Sequence, residues 1–244
     1  QPCYPSFYYA GDMDFANVLP QLNAKPTLWM AGDSIMQSYA PGDKPVTGWG
    51  EVLHTLAHGD AVCQTAHRAD CPFPQEMRYE LPGLVIDNCA MAGRSSKTFR
   101  EEGRLDDIAA HIRPGDLLVV SFGHNDANHN KAERYVSADA FGESLRPFWD
   151  AARSHGAVCL FASPVAMREF DEDGVCHPSF AAYREAMRAF AAEVGAPFID
   201  LGAATAAANT ALGAERCKTR YMWVGAKQDN AHQQNAGACR TAQA

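Results

Sequence analysis

The chain has 244 residues, 47% of them hydrophobic and 20% charged, the balance of a globular protein able to bury a sizeable core. A net charge of −8 and the lack of any basic run argue against a nucleic-acid partner. No stretch reaches the ~18 consecutive apolar residues of a membrane span, and the sequence opens at Gln1 without an initiator Met or a signal-peptide pattern, as a processed mature form does.

Residues 1–25 are aromatic and irregular, with Tyr4, Phe7, Tyr8, Tyr9 and Phe15 among Pro, Gly and Asp. They read as an arm wrapped on the surface, the rim of a site being the other reading. Thr27-Leu28-Trp29-Met30-Ala31 is an apolar run bounded by Gly32-Asp33-Ser34, the pattern of a buried strand ending in a turn. Residues 35–39 favour a helix, so Ser34 would open it where backbone N–H groups lack partners. Gly48-Trp49-Gly50 leads into 51–57, where Val52, Leu53 and Leu56 have helical spacing. Residues 59–82 hold two cysteines and three prolines with no clear period, and read as an insertion.

A second strand covers 84–89 and ends at Ala92-Gly93-Arg94-Ser95. A helix is predicted over 98–112, closed by Pro114-Gly115. The third strand, 116–122, runs into Gly123-His124-Asn125-Asp126, and 127–136 is a polar loop. Ser137 is placed to cap a helix reaching His155-Gly156. The fourth strand is 157–162, followed by a loop over 165–177 and a helix over 179–194. A short fifth strand at 197–200 and a helix at 203–213 follow. The rest is loop-like as far as Asp229-Asn230-Ala231-His232. Strands that are continuous apolar runs, alternating with helices, predict one α/β domain over 1–244: a three-layer α/β/α sandwich around a five-stranded parallel sheet. In such sheets ligands bind at the carboxyl ends of the strands. Ser34, Gly93, Asn125 and Asp126 all follow strands directly.

Of eight cysteines, Cys89 and Cys159 fall in or beside apolar runs and read as buried free thiols. Cys3, Cys63, Cys71, Cys176, Cys217 and Cys239 lie in polar or loop-like sequence. Their number suggests disulfides, with Cys63 and Cys71 able to close a small loop, and an exported protein, secreted or periplasmic. A zinc site is the competing reading for the cysteines, but no Cys-x-x-Cys pair is present, so no metal site is expected.

A serine hydroxyl is a poor nucleophile until a base takes its proton, and that base needs a partner to fix its tautomer. Asp229 and His232, three apart in a turn, can supply both, against the plainer reading of two surface residues in a polar tail. An oxyanion needs convergent donors: Gly93 offers an unobstructed N–H, Asn125 a side-chain amide, and Ser34 its own N–H. Asp33 reads as a brace for its turn. Arg94 reads either as a support for the glycine or as one half of a salt bridge at the start of a helix. His124 and Asp126 flank Asn125 and are placed to orient it. Trp49 and Tyr39 offer rings for stacking on a sugar, with packing in the core or at the rim as the competing reading.

Four ordered blocks, Gly32-Asp33-Ser34, the stretch from Asn88 to Ser95 with Gly93, Gly123-His124-Asn125-Asp126, and Asp229-x-x-His232, resemble the SGNH or GDSL-type hydrolases over about residues 26–238. The resemblance implies a Ser34–His232–Asp229 triad and an oxyanion hole of Ser34, Gly93 and Asn125. Within that group, Gly48-Trp49-Gly50, Ala92-Gly93-Arg94-Ser95 and Phe122-Gly123-His124-Asn125-Asp126 look like the rhamnogalacturonan acetylesterases, which remove acetyl groups from pectic polysaccharide without a metal. The resemblance thus implies a serine esterase acting on an acetylated polysaccharide or oligosaccharide, with no cofactor, no nucleic-acid or membrane partner, and a monomeric state. A lipase, thioesterase or small-molecule acyl esterase is the alternative, and an inactive carbohydrate-binding module is the alternative from another class. Members of the family commonly end in a helix. Here only five residues follow Cys239, so that helix is expected to be cut short or replaced by a disulfide.

Overall fold

The computed structural model describes residues 25–57 and 63–244. The aromatic segment over 1–24, Cys3 and the first residues of the expected insertion lie outside the described residues. A seven-stranded sheet has the order β2-β3-β4-β1-β5-β6-β7. Its five parallel strands are β1 (Thr27–Gly32), β4 (Leu84–Asn88), β5 (Leu117–Ser121), β6 (Val158–Ala162) and β7 (Phe198–Ile199). The expected count of five strands is corrected by two more, β2 (Gln64–Ala66) and β3 (Met77–Leu81), which add antiparallel at the β4 edge. Part of the segment read as an irregular insertion is therefore sheet. Among the described residues no helix is long and apolar enough to cross a membrane.

Each parallel strand is apolar on both faces because helices cover both. Trp29 and Ala31 of β1 join Leu118 and Val120 of β5 in one buried cluster. That cluster is closed by α3 (Ser96–Glu101), α4 (Arg104–His111), α5 (Ala138–Ser154) and α6 (Ala181–Val194). Met30 and Val119 point the other way and pack against α1 (Trp49–Val52), which the short α2 (His54–Ala57) follows, and against α7 (Leu201–Leu212). In α5 the buried residues Phe141, Leu145, Phe148 and Ala152 recur at the spacing of one helix face. Burying each such aromatic ring contributes about 1.5–3 kcal/mol.

Several boundaries differ from the sequence pattern for local reasons. The helix expected over 98–112 is two helices, since Gly103 adopts φ 78° between α3 and α4. Ser137 occupies the N-cap position of α5, but its hydroxyl makes no capping bond. No helix follows Ser34. The chain makes one turn, with the N–H groups of Met36 and Gln37 both donating to the Asp33 carbonyl. It is then drawn away: the Asn88 amide donates to the Met36 carbonyl, and the Gln37 side chain accepts from the Ala92 N–H.

The region read as loop-like before His232 holds α8 (Ala214–Cys217) and a separate two-stranded sheet, β8 (Tyr221–Val224) with β9 (Lys227–Gln233). The chain then ends in a helix after all, α9 (Asn235–Ala242). The seven described cysteines are all free, so Cys63, Cys71, Cys176, Cys217 and Cys239 do not form the expected disulfides. Cys71, Cys176 and Cys217 are buried thiols like Cys89 and Cys159.

Candidate active site

The sheet order explains why distant segments meet. β1 sits between β4 and β5, so the chain leaves β1 for one side and later returns to the other. The crevice of an open α/β sheet lies at such a reversal, beyond the carboxyl ends of the strands. Ser34 follows β1, Gly93 follows β4, and Asn125 follows β5.

His232 reaches the same place from outside the main sheet. In the β8–β9 ladder Tyr221 pairs with Gln233, while the adjacent Met222 pairs with Asp229. Asn230, Ala231 and His232 therefore arch out of the ladder as a bulge, a device that re-aims side chains. The turn expected around Asp229 and His232 is this bulge within a strand. Asp229 Oδ1 accepts from the N–H groups of Ala231 at 2.9 Å and His232 at 3.0 Å, which fixes the arch. Its Oδ2 accepts from His232 Nδ1 at 2.8 Å. On the far side of the ring, Ser34 Oγ lies 2.9 Å from His232 Nε2. Burial pushes the Asp229 carboxyl up, but the N–H groups of His232 and Ala231 together with the imidazole outweigh it and hold the group below its ordinary range. Arg168 anchors the bulge: its N–H donates to the Asn230 carbonyl at 2.8 Å, and its guanidinium lies over the Trp223 ring.

Ser34, Gly93 and Asn125 follow neighbouring strands, and each keeps a donor to spare. The Ser34 and Gly93 N–H groups make no backbone bond among the described residues. Asn125 spends one amide hydrogen on the Arg94 carbonyl at 3.0 Å, which leaves the other free. Gly93 has φ 78°, a conformation that side chains disfavour, and Arg134 holds its carbonyl at 3.1 Å. Nothing in the sequence pointed to Arg134, since an arginine in a polar loop carries no pattern.

The remaining expected residues divide. Asp126 is buried and orders the loop: Oδ2 accepts from the Gly123 N–H, and Oδ1 from the N–H and hydroxyl of Ser96. His124 does not bond Asn125. Its Nε2 bonds the Val165 carbonyl at 3.0 Å, and its ring meets Phe180 edge-on. Arg94 pairs with Glu102 at the C-cap of α3, so its carbonyl positions Asn125 while its side chain stays out of the site. Trp49 is no sugar platform, being 6% exposed and packed with Met30 and Met36. Tyr39 donates to the Ser34 carbonyl at 2.8 Å and steadies the turn.

Asp33 accepts from the Ile35 N–H, while its Oδ2 has no partner and is sealed from water. Burial, reinforced by the Asp126 charge, raises its pKa from 3.8 to about 7. A folded-state pKa above the unfolded value means the native state keeps a proton that the unfolded chain sheds between about pH 4 and 7. Asp33 therefore lowers stability as pH rises through that window. In urea denaturation at pH 5 and pH 8, Asp33→Asn should show a smaller fall in stability with pH than the parent chain.

Ser34, Asn125 and His232 open on a cavity of about 350 Å³. Ile35, Ala127, Met167, Phe180 and Ala231 form its apolar wall, and His124, Asn128 and His129 its polar side. Phe180 has φ 55°, the positive value of a non-glycine residue, a conformation costing about 1–3 kcal/mol that clusters at ligand sites. No group of three or more His, Cys, Asp or Glu among the described residues could hold a metal ion. The arrangement can pass the Ser34 proton to His232, hold the imidazolium against Asp229, and meet a developing oxyanion with three donors.

Comparison with known proteins shows the family. Residues 30–222 match the GDSL-like lipase/acylhydrolase family. A rhamnogalacturonan acetylesterase of Bacillus subtilis, RhgT, is 35% identical over 84% of this chain and 76% of its own length. A probable rhamnogalacturonan acetylesterase of the same organism, YesY, is 35% identical over 86% of each chain. The crystal structure of B. subtilis YxiM superposes with a TM-score of 0.73 at 26% identity, over 91% of this chain and 55% of that one. With a family match over most of its length and these relatives, the chain belongs to the GDSL-like lipase/acylhydrolase family.

Proposed function

We propose that this protein is a serine esterase that removes O-acetyl groups from a carbohydrate, with a plant cell-wall polysaccharide such as pectic rhamnogalacturonan as the leading substrate. The observation that carries the reading is the hydrogen-bonded line Ser34–His232–Asp229, with Ser34, His232 and the donor Asn125 lining one cavity. The relatives named for rhamnogalacturonan deacetylation support the substrate class. Ser34 Oγ attacks the acetyl carbonyl as His232 takes its proton. The oxyanion rests on the Ser34 and Gly93 N–H groups and the Asn125 amide. His232 then returns the proton to the sugar oxygen, and water releases acetate from the acyl-enzyme by the same route.

Acetate release from acetylated pectic and xylan-type polysaccharides tests the substrate. Release from the pectic polymer is expected, and an enzyme that instead prefers octanoyl to acetyl esters contradicts the reading in favour of a lipase-type acyl hydrolase. Asn125→Ala removes one oxyanion donor and should lower kcat about 10²–10³-fold on a small acetyl ester. Steady-state kinetics should show KM changing far less than kcat.

A further inference from the structure

His124 lines the cavity, yet it has no part in the proton transfer or the oxyanion site. Its chemistry is fixed by one bond. Nε2 lies 3.0 Å from the Val165 carbonyl, and a carbonyl oxygen only accepts, so Nε2 carries the hydrogen. In the neutral ring Nδ1 is then a bare acceptor. It has no protein partner among the described residues, and it is not one of the buried polar atoms sealed away without one. Phe180 packs against the ring edge-on with centroids 4.7 Å apart, which fixes its plane. Burial, and to a lesser extent the neighbouring His232, lowers the His124 pKa to about 4, so the ring stays neutral in ordinary working conditions.

We infer that His124 Nδ1 accepts a hydrogen bond from a free hydroxyl of the substrate sugar, on the carbon next to the acetylated one, and so selects partially acetylated sugars with that hydroxyl unblocked. The inference rests on the carbohydrate reading above and sharpens it. The sugar oxygen must lie beside His232 to receive its proton, and His124 lines the same cavity close enough to His232 to feel its charge. A ring held as an acceptor rewards a hydroxyl there and is left unpaired by a hydrogen or an acetyl group.

The test uses two monoacetylated methyl hexopyranosides, one with a free hydroxyl on the carbon beside the ester and one with hydrogen there. The full chain is expected to favour the hydroxylated compound by about 5–10-fold in kcat/KM, the size of one neutral hydrogen bond. His124→Gln places a donor where Nε2 stood and removes the Nδ1 acceptor, so the preference should collapse towards unity. His124→Asn keeps an acceptor near the Nδ1 position but loses the bond to Val165, and should retain much of the preference. A merely structural role predicts the reverse order for the two variants, and that order would overturn the inference. Equal rates on both glycosides with the parent chain would overturn it too, while leaving the carbohydrate reading intact. Cleavage of 4-nitrophenyl acetate but of neither glycoside would sink the carbohydrate reading, and this inference with it.

Discussion

Ser34→Ala should lower kcat/KM for a small acetyl ester by at least about 10⁴-fold, leaving only what the oxyanion donors and binding supply. The expectation rests on geometry at both ends of the imidazole. Ser34 is the hydroxyl within reach of His232 Nε2, at 2.9 Å, and it shares a cavity with Asn125. The substitution deletes one oxygen and leaves the backbone N–H in place. Removing one hydrogen bond costs about 1 kcal/mol, so the melting temperature should shift by only a few degrees. Turnover and thermal unfolding measured on one preparation separate these effects. Appreciable esterase activity in the folded variant would refute the role given to Ser34.

Asp229→Asn should be nearly as damaging, with a loss of roughly 10⁴-fold at neutral pH. Here the reason is a tautomer. Asp229 Oδ1 accepts from two backbone N–H groups, and Oδ2 accepts from the imidazole. An asparagine has one oxygen for these three donors. If that oxygen keeps the two backbone bonds, its NH₂ faces Nδ1, and the imidazole must carry its hydrogen on Nε2. It then points a donor at the Ser34 oxygen and cannot take a proton from it. The groups act as a unit, so Ser34→Ala combined with Asp229→Asn should be little worse than Ser34→Ala alone. An additive loss in the double variant would show that Asp229 works by another route.

The parallel strands were legible because each is a continuous apolar run, and four short blocks marked the strand ends that meet at the crevice. What escaped did so for definable reasons. Every residue of β2 is exposed, so Gln64-Thr65-Ala66 carries no apolar signal. β3 did carry one, since Met77, Tyr79 and Leu81 alternate with Arg78 and Glu80, but prolines and cysteines nearby obscured it. β9 is polar at every position but Ala231, because its pairing partner and the bulge determine its path. The cysteines misled for a further reason: polar neighbours in sequence do not reveal that Cys71, Cys176 and Cys217 face inward. The residues that line the cavity from 165–180 had no motif at all, because a wall is defined by shape and not by chemistry.

The bulge in β9 divides the proposed machinery between two sheets. Ser34, Gly93 and Asn125 follow strands of the seven-stranded sheet, whereas Asp229 and His232 ride on a two-stranded ribbon. That ribbon is tied to its surroundings by backbone bonds, among them Thr47 N–H to the Gln233 carbonyl and Arg168 N–H to the Asn230 carbonyl, and by the buried Tyr221, whose hydroxyl donates to the Ala166 carbonyl. Two-stranded ribbons are marginal on their own, and proteins open in units well below the global unfolding free energy. The proposed triad is therefore expected to come apart with the ribbon, ahead of the main sheet. As denaturant rises, the molecule should pass through a population that is still folded but has lost its base, with the amides of 227–233 exchanging ahead of those in β1 and β5.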